Sequence, residues 1–263
     1  MENLCDLLFE ISNEDRLRIL HWLNREKMNV TKLSRELDLT TQESSRHLSR
    51  LIDVRLVEKG ADGLHGLTPY GELILRQLPG LEFTSRHRDY FREHTLTNLP
   101  TEFVLRIGEL EGSTYIDDVM VAVHSVEETL LEAEEYILNI NVPYIASAFP
   151  LVREAYERGV TGRFIHTREL IVPPSMREER ERVFDDDIMK KIWTSGLQEE
   201  RLVEEMGLIL YMSEKSVGIL AFPLKDGRFD FLGFRSESEG PRRWCRDLFY
   251  YYWERAEPEH IVP

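Results

Sequence analysis

Residues 39–59 read LTTQESSRHLSRLIDVRLVEK, and this stretch decides the fold of the amino-terminal region. Thr40 and Glu43 form the S/T-x-x-E pattern in which two side chains cap the first turn of a helix reciprocally. The spacing of apolar residues after this pattern predicts a helix that ends near Val54.

The predicted helix has two different sides. On a helical wheel, the side predicted to be buried holds Ser44, Leu48, Leu51 and Ile52. The opposite side is polar and holds Gln42, Arg46, Ser49, Arg50 and Asp53. Two arginines one turn apart on a solvent face are more than a surface helix needs for solubility.

The segments around this helix complete a recognisable arrangement. A short helix over residues 31–37 precedes it through a tight turn, and two short apolar segments with a Gly-rich tip follow it at residues 56–68. Thr68 and Pro69 then start another helix, which Pro79-Gly80 is expected to end. The order predicts a winged helix-turn-helix over residues 1–78.

The polar side carries the residue types that read duplex DNA. Arginine pairs bidentately with guanine, glutamine pairs with adenine, and small hydroxyl residues reach phosphates. The predicted DNA contacts on the helix are Thr41, Gln42, Ser45, Arg46, Ser49 and Arg50, and those from the wing are Arg55, Lys59 and His65.

The charge of the chain restricts where DNA can bind. The formal net charge is −15, but residues 1–78 hold 13 acidic against 11 basic residues and are close to neutral. An evenly spread negative charge would repel DNA, so the contact has to come from a local positive surface in this near-neutral region.

Composition narrows the class of protein. Hydrophobic residues make up 42% of the chain, which favours a folded protein, and no apolar run reaches the length of a membrane span. Two cysteines at opposite ends of the chain predict neither a disulfide framework nor a thiolate metal site. We expect a cytoplasmic protein that does not contact a membrane.

The rest of the chain predicts a helical connector over residues 79–110 and an α/β domain over residues 111–263. Residues 136–167 read strand, helix, strand, which is typical of a βαβ unit with parallel strands. A meander follows, and a last helix rich in aromatic residues is expected to cover the sheet and help form a homodimer. The predicted fold class is α+β with two domains.

Two parts of the chain resemble known regulators. Residues 30–59, VTKLSRELDLTTQESSRHLSRLIDVRLVEK, resemble the winged-helix region of arsenical-repressor-like prokaryotic regulators. The segments AEEYILNI, GRFIHTREL and GILAFPLKDGRFDFLGFRSES resemble archaeal regulators with a methanogenesis-regulator middle domain. The resemblance implies a dimeric archaeal transcription factor whose sensor domain is distantly similar to the phospholipase D fold. The metal-sensing cysteines of arsenical repressors are absent.

The α/β domain is expected to bind a small effector, because small molecules bind beyond the carboxyl ends of strands in such sheets. Arg168 after one strand and Arg235 after another favour an anionic effector. The predicted ligand-binding residues are Tyr144, His166, Thr167, Arg168, Trp193, Phe234 and Arg235.

Catalysis is not expected. Phospholipase D chemistry needs paired His-x-Lys motifs, whereas the nearest segment is His166-Thr167-Arg168 and a second motif is missing. No other common catalytic motif occurs, and the sequence predicts no catalytic residue, metal or cofactor.

The sequence therefore favours a transcriptional regulator whose partners are double-stranded DNA and a small effector. One alternative is a winged helix used for protein contacts within the transcription machinery, without sequence-specific DNA binding. A hydrolase of the phospholipase D type is the other.

Overall fold

The computed structural model describes residues 2–142, 145–168 and 174–258. The chain divides into two compact units, Met1–Leu81 and Glu82–Pro263. The boundary lies inside a helix, and each unit has its own hydrophobic core.

The first unit consists of helices and a two-stranded hairpin. Its elements in chain order are α1 (Glu2–Ile11), α2 (Glu14–Leu23), α3 (Val30–Leu37), α4 (Thr41–Asp53), β1 (Val57–Lys59), β2 (His65–Leu67) and the start of α5 (Pro69–Arg86). The antiparallel hairpin of β1 and β2 follows α4 directly. This is the winged helix-turn-helix that the sequence predicts.

The turn between α3 and α4 is fixed by local chemistry. Asp38 ends α3 in the left-handed conformation (φ 57°), which reverses the chain within a few residues. Thr40 and Glu43 form the predicted capping box at the start of α4. The Ser34 and Ser44 hydroxyls then meet at 2.9 Å between the two helices. These interactions fix the orientation of α4 against α3.

Helix α5 is longer than predicted. It continues through Pro79 and Gly80 to Arg86. A proline inside a helix loses one hydrogen bond, but Leu75, Leu78 and Phe83 on either side of it are buried. Their burial outweighs that loss, and the predicted end at residue 79 was wrong.

The second unit is built on a mixed sheet. Its strands are β3 (Thr114–Ile116), β4 (Tyr136–Ile140), β5 (Thr161–Thr167), β6 (Gln198–Val203), β7 (Ile209–Ser213), β8 (Val217–Ala221), β9 (Gly233–Ser236) and β10 (Glu257–Pro258). Among the described residues the sheet has eight strands in the order β10-β6-β5-β4-β7-β8-β9-β3. Strands β4, β5 and β6 are parallel to one another, as the βαβ pattern predicts for the first two.

Helices lie on both faces of this sheet. They are α6 (Arg88–Glu93), α7 (Thr101–Leu105), α8 (Val119–Glu132), α9 (Ala148–Glu157), α10 (Pro174–Val183), α11 (Asp186–Thr194) and α12 (Glu239–Trp253). Alternate residues of a strand point to opposite faces, so Leu138 packs in the core that contains α12, whereas Ile137 packs in the core that contains α8. The unit is a three-layer α/β structure.

Residues 79–110 do not form a separate connector. Phe83, Tyr90, Phe103 and Leu110 are buried in the same core as the aromatic residues of α12. The Tyr90 hydroxyl also accepts the backbone N–H of Phe222 at 2.9 Å. From Glu82 onward, this segment is one layer of the second unit.

Over the described part of the chain, every helix is too short or too polar to span a bilayer.

Candidate functional site

Helix α4 has one buried and one exposed side, but the buried side is rotated from the predicted position. Ser44, Leu48 and Leu51 are buried as predicted, while Ile52 is 37% exposed and His47 is buried instead. His47 lies toward α2, where its Nε2 is 4.0 Å from Asp15 Oδ2. Burial lowers the pKa of the His47 imidazole.

The predicted DNA-reading residues of α4 are exposed. They are Thr41, Gln42, Ser45, Arg46, Ser49 and Arg50. Arg46 makes no ion pair with any residue in the described part of the chain. The nearest carboxylate along the helix, Glu43, is held instead by the Thr40 hydroxyl (2.7 Å) and backbone N–H (3.0 Å). The Arg46 guanidinium therefore keeps all of its donors for an external partner.

Arg50 differs from Arg46, because it is held by a residue of α1. Its Nε and Nη2 donate to Glu10 Oε1 at 3.0 and 2.6 Å. These two N–H groups lie on one edge of the guanidinium, and the Nη1 edge stays available. The Arg50 side chain is 48% exposed, whereas that of Glu10 is 7% exposed. Arg50 is a fixed donor rather than a mobile one.

Glu10 is also held from its other side. Arg16 Nε lies 3.1 Å from Glu10 Oε2, and the same nitrogen donates to the Glu10 carbonyl at 2.6 Å. A buried carboxylate is stable only when charge and hydrogen bonds compensate its lost hydration. Arg16 and Arg50 supply the positive charge, while Oε2 has no hydrogen bond within the described part of the chain. Sequence reasoning missed Glu10 because it lies 40 residues from Arg50.

The wing presents two of its three predicted phosphate contacts. Arg55 and Lys59 are exposed. His65 is 5% exposed, and its backbone forms an antiparallel bridge with Met28. A buried ring cannot reach phosphate, so the prediction for His65 was wrong. Burial lowers the pKa of the His65 imidazole, and the nearby Lys59 lowers it further.

The second unit contains a cavity beside its parallel strands. About 650 Å³ of space free of protein atoms, open mouth included, lies between β4, β5 and β7 on one side and α9 and α10 on the other. The polar residues in its described wall are Asn139, Tyr156, His166, Arg180, Gln198, Glu200 and Tyr211. Of the predicted ligand-binding residues, His166 lines this cavity.

The two predicted effector arginines do not meet. Arg168 is paired with Glu204 (2.7 Å) and Glu257, and Arg235 lies 3.5 Å from Glu128. Arg235 is in β9 and Arg168 directly follows β5, and three strands separate β5 from β9 in the sheet. The prediction that these arginines hold one anion was therefore wrong.

The other predicted ligand contacts also differ from expectation. Phe234 is 1% exposed and packs against Phe83 and Tyr90 in the core, so it does not line the cavity. Thr167 is half-buried at the end of β5, outside the described wall of the cavity. Tyr144 and the side chain of Trp193 lie outside the described residues.

Metal binding has no candidate in the part of the structure that is described. No group of three or more His, Cys, Asp or Glu side chains there is arranged to hold a metal ion.

A family comparison identifies the helix-turn-helix. Residues 13–59, which contain α2, α3, α4 and β1, match the sequence model of the family described as "bacterial regulatory protein, arsR family". This match confirms a winged-helix region of a DNA-binding transcriptional regulator. No curated protein matches the chain.

Solved structures of other proteins resemble this chain at low sequence identity and low TM-score. TrmBL2, described as an archaeal chromatin protein with a novel mode of DNA binding, is 15% identical over 93% of this chain and 94% of its own, with a TM-score of 0.43. Nuc of Salmonella typhimurium, a phospholipase D family member, is 9% identical over 56% of this chain and 95% of its own (TM-score 0.38). Similarity at this level does not extend to function.

Neutralising Glu10 is expected to loosen Arg50. In Glu10→Gln, the charge that holds Arg50 is lost and the anchor weakens, so DNA binding has to pay more of the ordering cost of a long side chain. The preference for a specific over a random duplex should fall roughly two- to tenfold. Fluorescence anisotropy at constant salt measures both affinities.

The matched control for this change is Glu36→Gln, which removes an exposed carboxylate paired with Arg35. It should keep the wild-type preference. Circular dichroism checks that both variants are folded. An unchanged preference in a folded Glu10→Gln variant would contradict the positioning role.

The buried His65 predicts a pH dependence of stability. In the folded chain, burial lowers the pKa of the His65 imidazole below its ordinary value of about 6.5. Below about pH 6.5, the unfolded chain therefore binds more protons than the folded chain. The free energy of unfolding should therefore decrease as the pH falls through about 6.5. Urea denaturation at several pH values should show a smaller decrease for His65→Gln. His124→Gln, which changes an exposed imidazole, should retain the wild-type slope.

Proposed function

We propose that this winged-helix transcriptional regulator reads duplex DNA with the exposed side of α4 and changes its DNA occupancy when a small molecule fills the cavity of its second unit. DNA reading by α4 is supported by the exposed Arg46, which makes no ion pair within the described residues and lies beside Gln42, Ser45 and Ser49. Small-molecule binding is supported by the cavity beside β4, β5 and β7.

The residue types on α4 suit a major groove. Arg46 has free donors for guanine O6 and N7, and Gln42 offers both a donor and an acceptor to adenine. The small Ser45 and Ser49 side chains let the helix approach the bases closely. Arg55 and Lys59 on the wing supply phosphate contacts, which fix position without reading sequence.

The proposed assembly is a cytoplasmic homodimer. A symmetric dimer would place two α4 helices about 34 Å apart on a pseudo-palindromic site. The effector acts only if it binds one DNA-binding state more tightly than the other, because a ligand with equal affinities shifts no equilibrium. A change in dimer geometry on effector binding would provide that difference.

The proposed role does not include catalysis. In the segment His166-Thr167-Arg168, Arg168 is neutralised by Glu204 and Glu257, so it is not available to hold a phosphoryl group. The use of this segment as a hydrolytic centre is therefore not supported.

Removing the Arg46 side chain tests DNA reading. Arg46→Ala should lower affinity for the cognate site by roughly five- to a hundredfold, the loss of one bidentate contact. Arg228→Ala removes the same charge from an exposed position in the second unit and should have little effect. Anisotropy titrations at constant salt give both values. An unchanged affinity in Arg46→Ala would favour the alternative of a protein-interaction module.

Filling the cavity tests effector binding. Ala148 is buried in the cavity wall, so Ala148→Leu should occupy part of the space. The low-molecular-mass fraction of source cells should raise the melting temperature of the wild-type protein but not of Ala148→Leu. Arg168→Ala should respond as the wild type does, because Arg168 lies outside the wall. Equal shifts in wild type and Ala148→Leu would contradict effector binding at this cavity.

A further inference from the structure

We propose that the cavity of the second unit binds an uncharged aromatic compound that carries a carbonyl oxygen. This inference rests on the proposed small-molecule sensing and specifies the chemical class of the ligand. It replaces the anion that the two separated arginines predicted.

The wall of the cavity is rich in aromatic rings. Those among its described residues are Phe149, Tyr156, Phe164, His166, Phe184 and Tyr211. The other apolar residues of the described wall are Val126, Val142, Ile145, Ala148, Val152 and Met189. A planar ring gains the most from such a wall, because edge-to-face contacts add to the burial of its apolar surface.

Tyr211 supplies a polar group that has no protein partner. The residue is 4% exposed, and its hydroxyl makes no hydrogen bond to any described residue. Burial raises the pKa of the Tyr211 phenol, so the hydroxyl keeps its proton and is a donor. The residue lines the open cavity, so a ligand that displaces water from it has to supply an acceptor for this hydroxyl.

Asn139 supplies a second donor at the same place. Its Oδ1 accepts the backbone N–H of Val142 at 3.1 Å, which fixes the orientation of the amide and leaves Nδ2 as a donor. No described residue accepts a hydrogen bond from Nδ2. Asn139 of β4 is the direct cross-strand partner of Tyr211 of β7, and both residues line the cavity.

Two donors on adjacent strands favour one acceptor atom. Side chains of directly opposed residues in an antiparallel pair lie about 4.5–5.5 Å apart at Cβ. Tyr211 and Asn139 both line the cavity, where a carbonyl oxygen of a ligand, which has two lone pairs, can accept from their side chains. An alkyl or purely aromatic hydrocarbon would leave both donors unsatisfied.

The described charges of the wall do not favour an anion. Arg180 is the cation and Glu200 the anion of this wall, so their charges offset each other. Glu200 also accepts a hydrogen bond from Gln198, whose Oε1 accepts the Tyr156 hydroxyl at 2.9 Å. A carboxylate ligand would lose its hydration here and would meet the negative charge of Glu200 as well as the positive charge of Arg180, whereas a neutral carbonyl has no charge to desolvate.

Benzamide and benzoate test the ligand class, because they share a ring and a carbonyl oxygen but differ in charge. Saturation-transfer NMR and calorimetry at millimolar concentrations should show binding of benzamide at least roughly tenfold tighter than benzoate. Tyr211→Phe should weaken benzamide binding roughly tenfold, the effect of one lost hydrogen bond. Ala148→Leu should abolish it, which places the probe in the cavity.

The outcomes separate this inference from the proposed function. Benzoate binding as tightly as benzamide, with loss in Ala148→Leu, would overturn the uncharged class and leave the cavity as an effector site. Absence of binding by both probes would overturn the aromatic carbonyl class, and the melting experiment with the cell fraction would still decide effector binding. Unchanged benzamide affinity in a folded Tyr211→Phe variant would overturn the role of the two donors.

Discussion

The contact between α3 and α4 is the constraint on which the first unit depends. The capping box of Thr40 and Glu43 fixes where α4 begins, and the 2.9 Å contact between Ser34 and Ser44 fixes its rotation against α3. A helix rotated by one residue would turn its reading face by about 100°. The position of Arg46 toward solvent therefore follows from hydrogen bonds on the other side of the helix.

In the second unit, strand alternation separates the residues that pack against α12 from those that line the cavity. Residues of β4 and β7 that point toward α12 are apolar and fully buried, such as Leu138 and Leu210. On the opposite face, Asn139 and Tyr211 are among the polar residues that line the cavity. Asn139 and Tyr211 are directly opposed in the register of β4 and β7, so this part of the sheet brings two polar side chains together at the cavity.

The structural elements that the sequence predicted correctly depend on local signals. The capping box, the hairpin and the βαβ unit depend on residues close in sequence, and they are present. The Arg50–Glu10 pair and the Asn139–Tyr211 pair depend on contacts between distant segments, so no spacing indicates them. The prediction that Arg168 and Arg235 hold one anionic effector was wrong for the same reason, because the spacing of strands in the sequence does not give their order in the sheet. Pro79 shows that tertiary burial overrides a strong local helix-stop signal.

A carboxylate near α4 opposes the approach of DNA unless a cation offsets its charge, and the first unit offsets one such carboxylate internally. Glu10 is buried between Arg16 and Arg50, which reduces its share of the field that an approaching phosphate would meet. Glu43 accepts hydrogen bonds from uncharged groups of Thr40, so it keeps its negative charge. Because Arg46 is not used in any of these pairings, its charge is directed outward. DNA binding therefore depends less on the net charge of the chain than on which arginines of the first unit are paired with carboxylates.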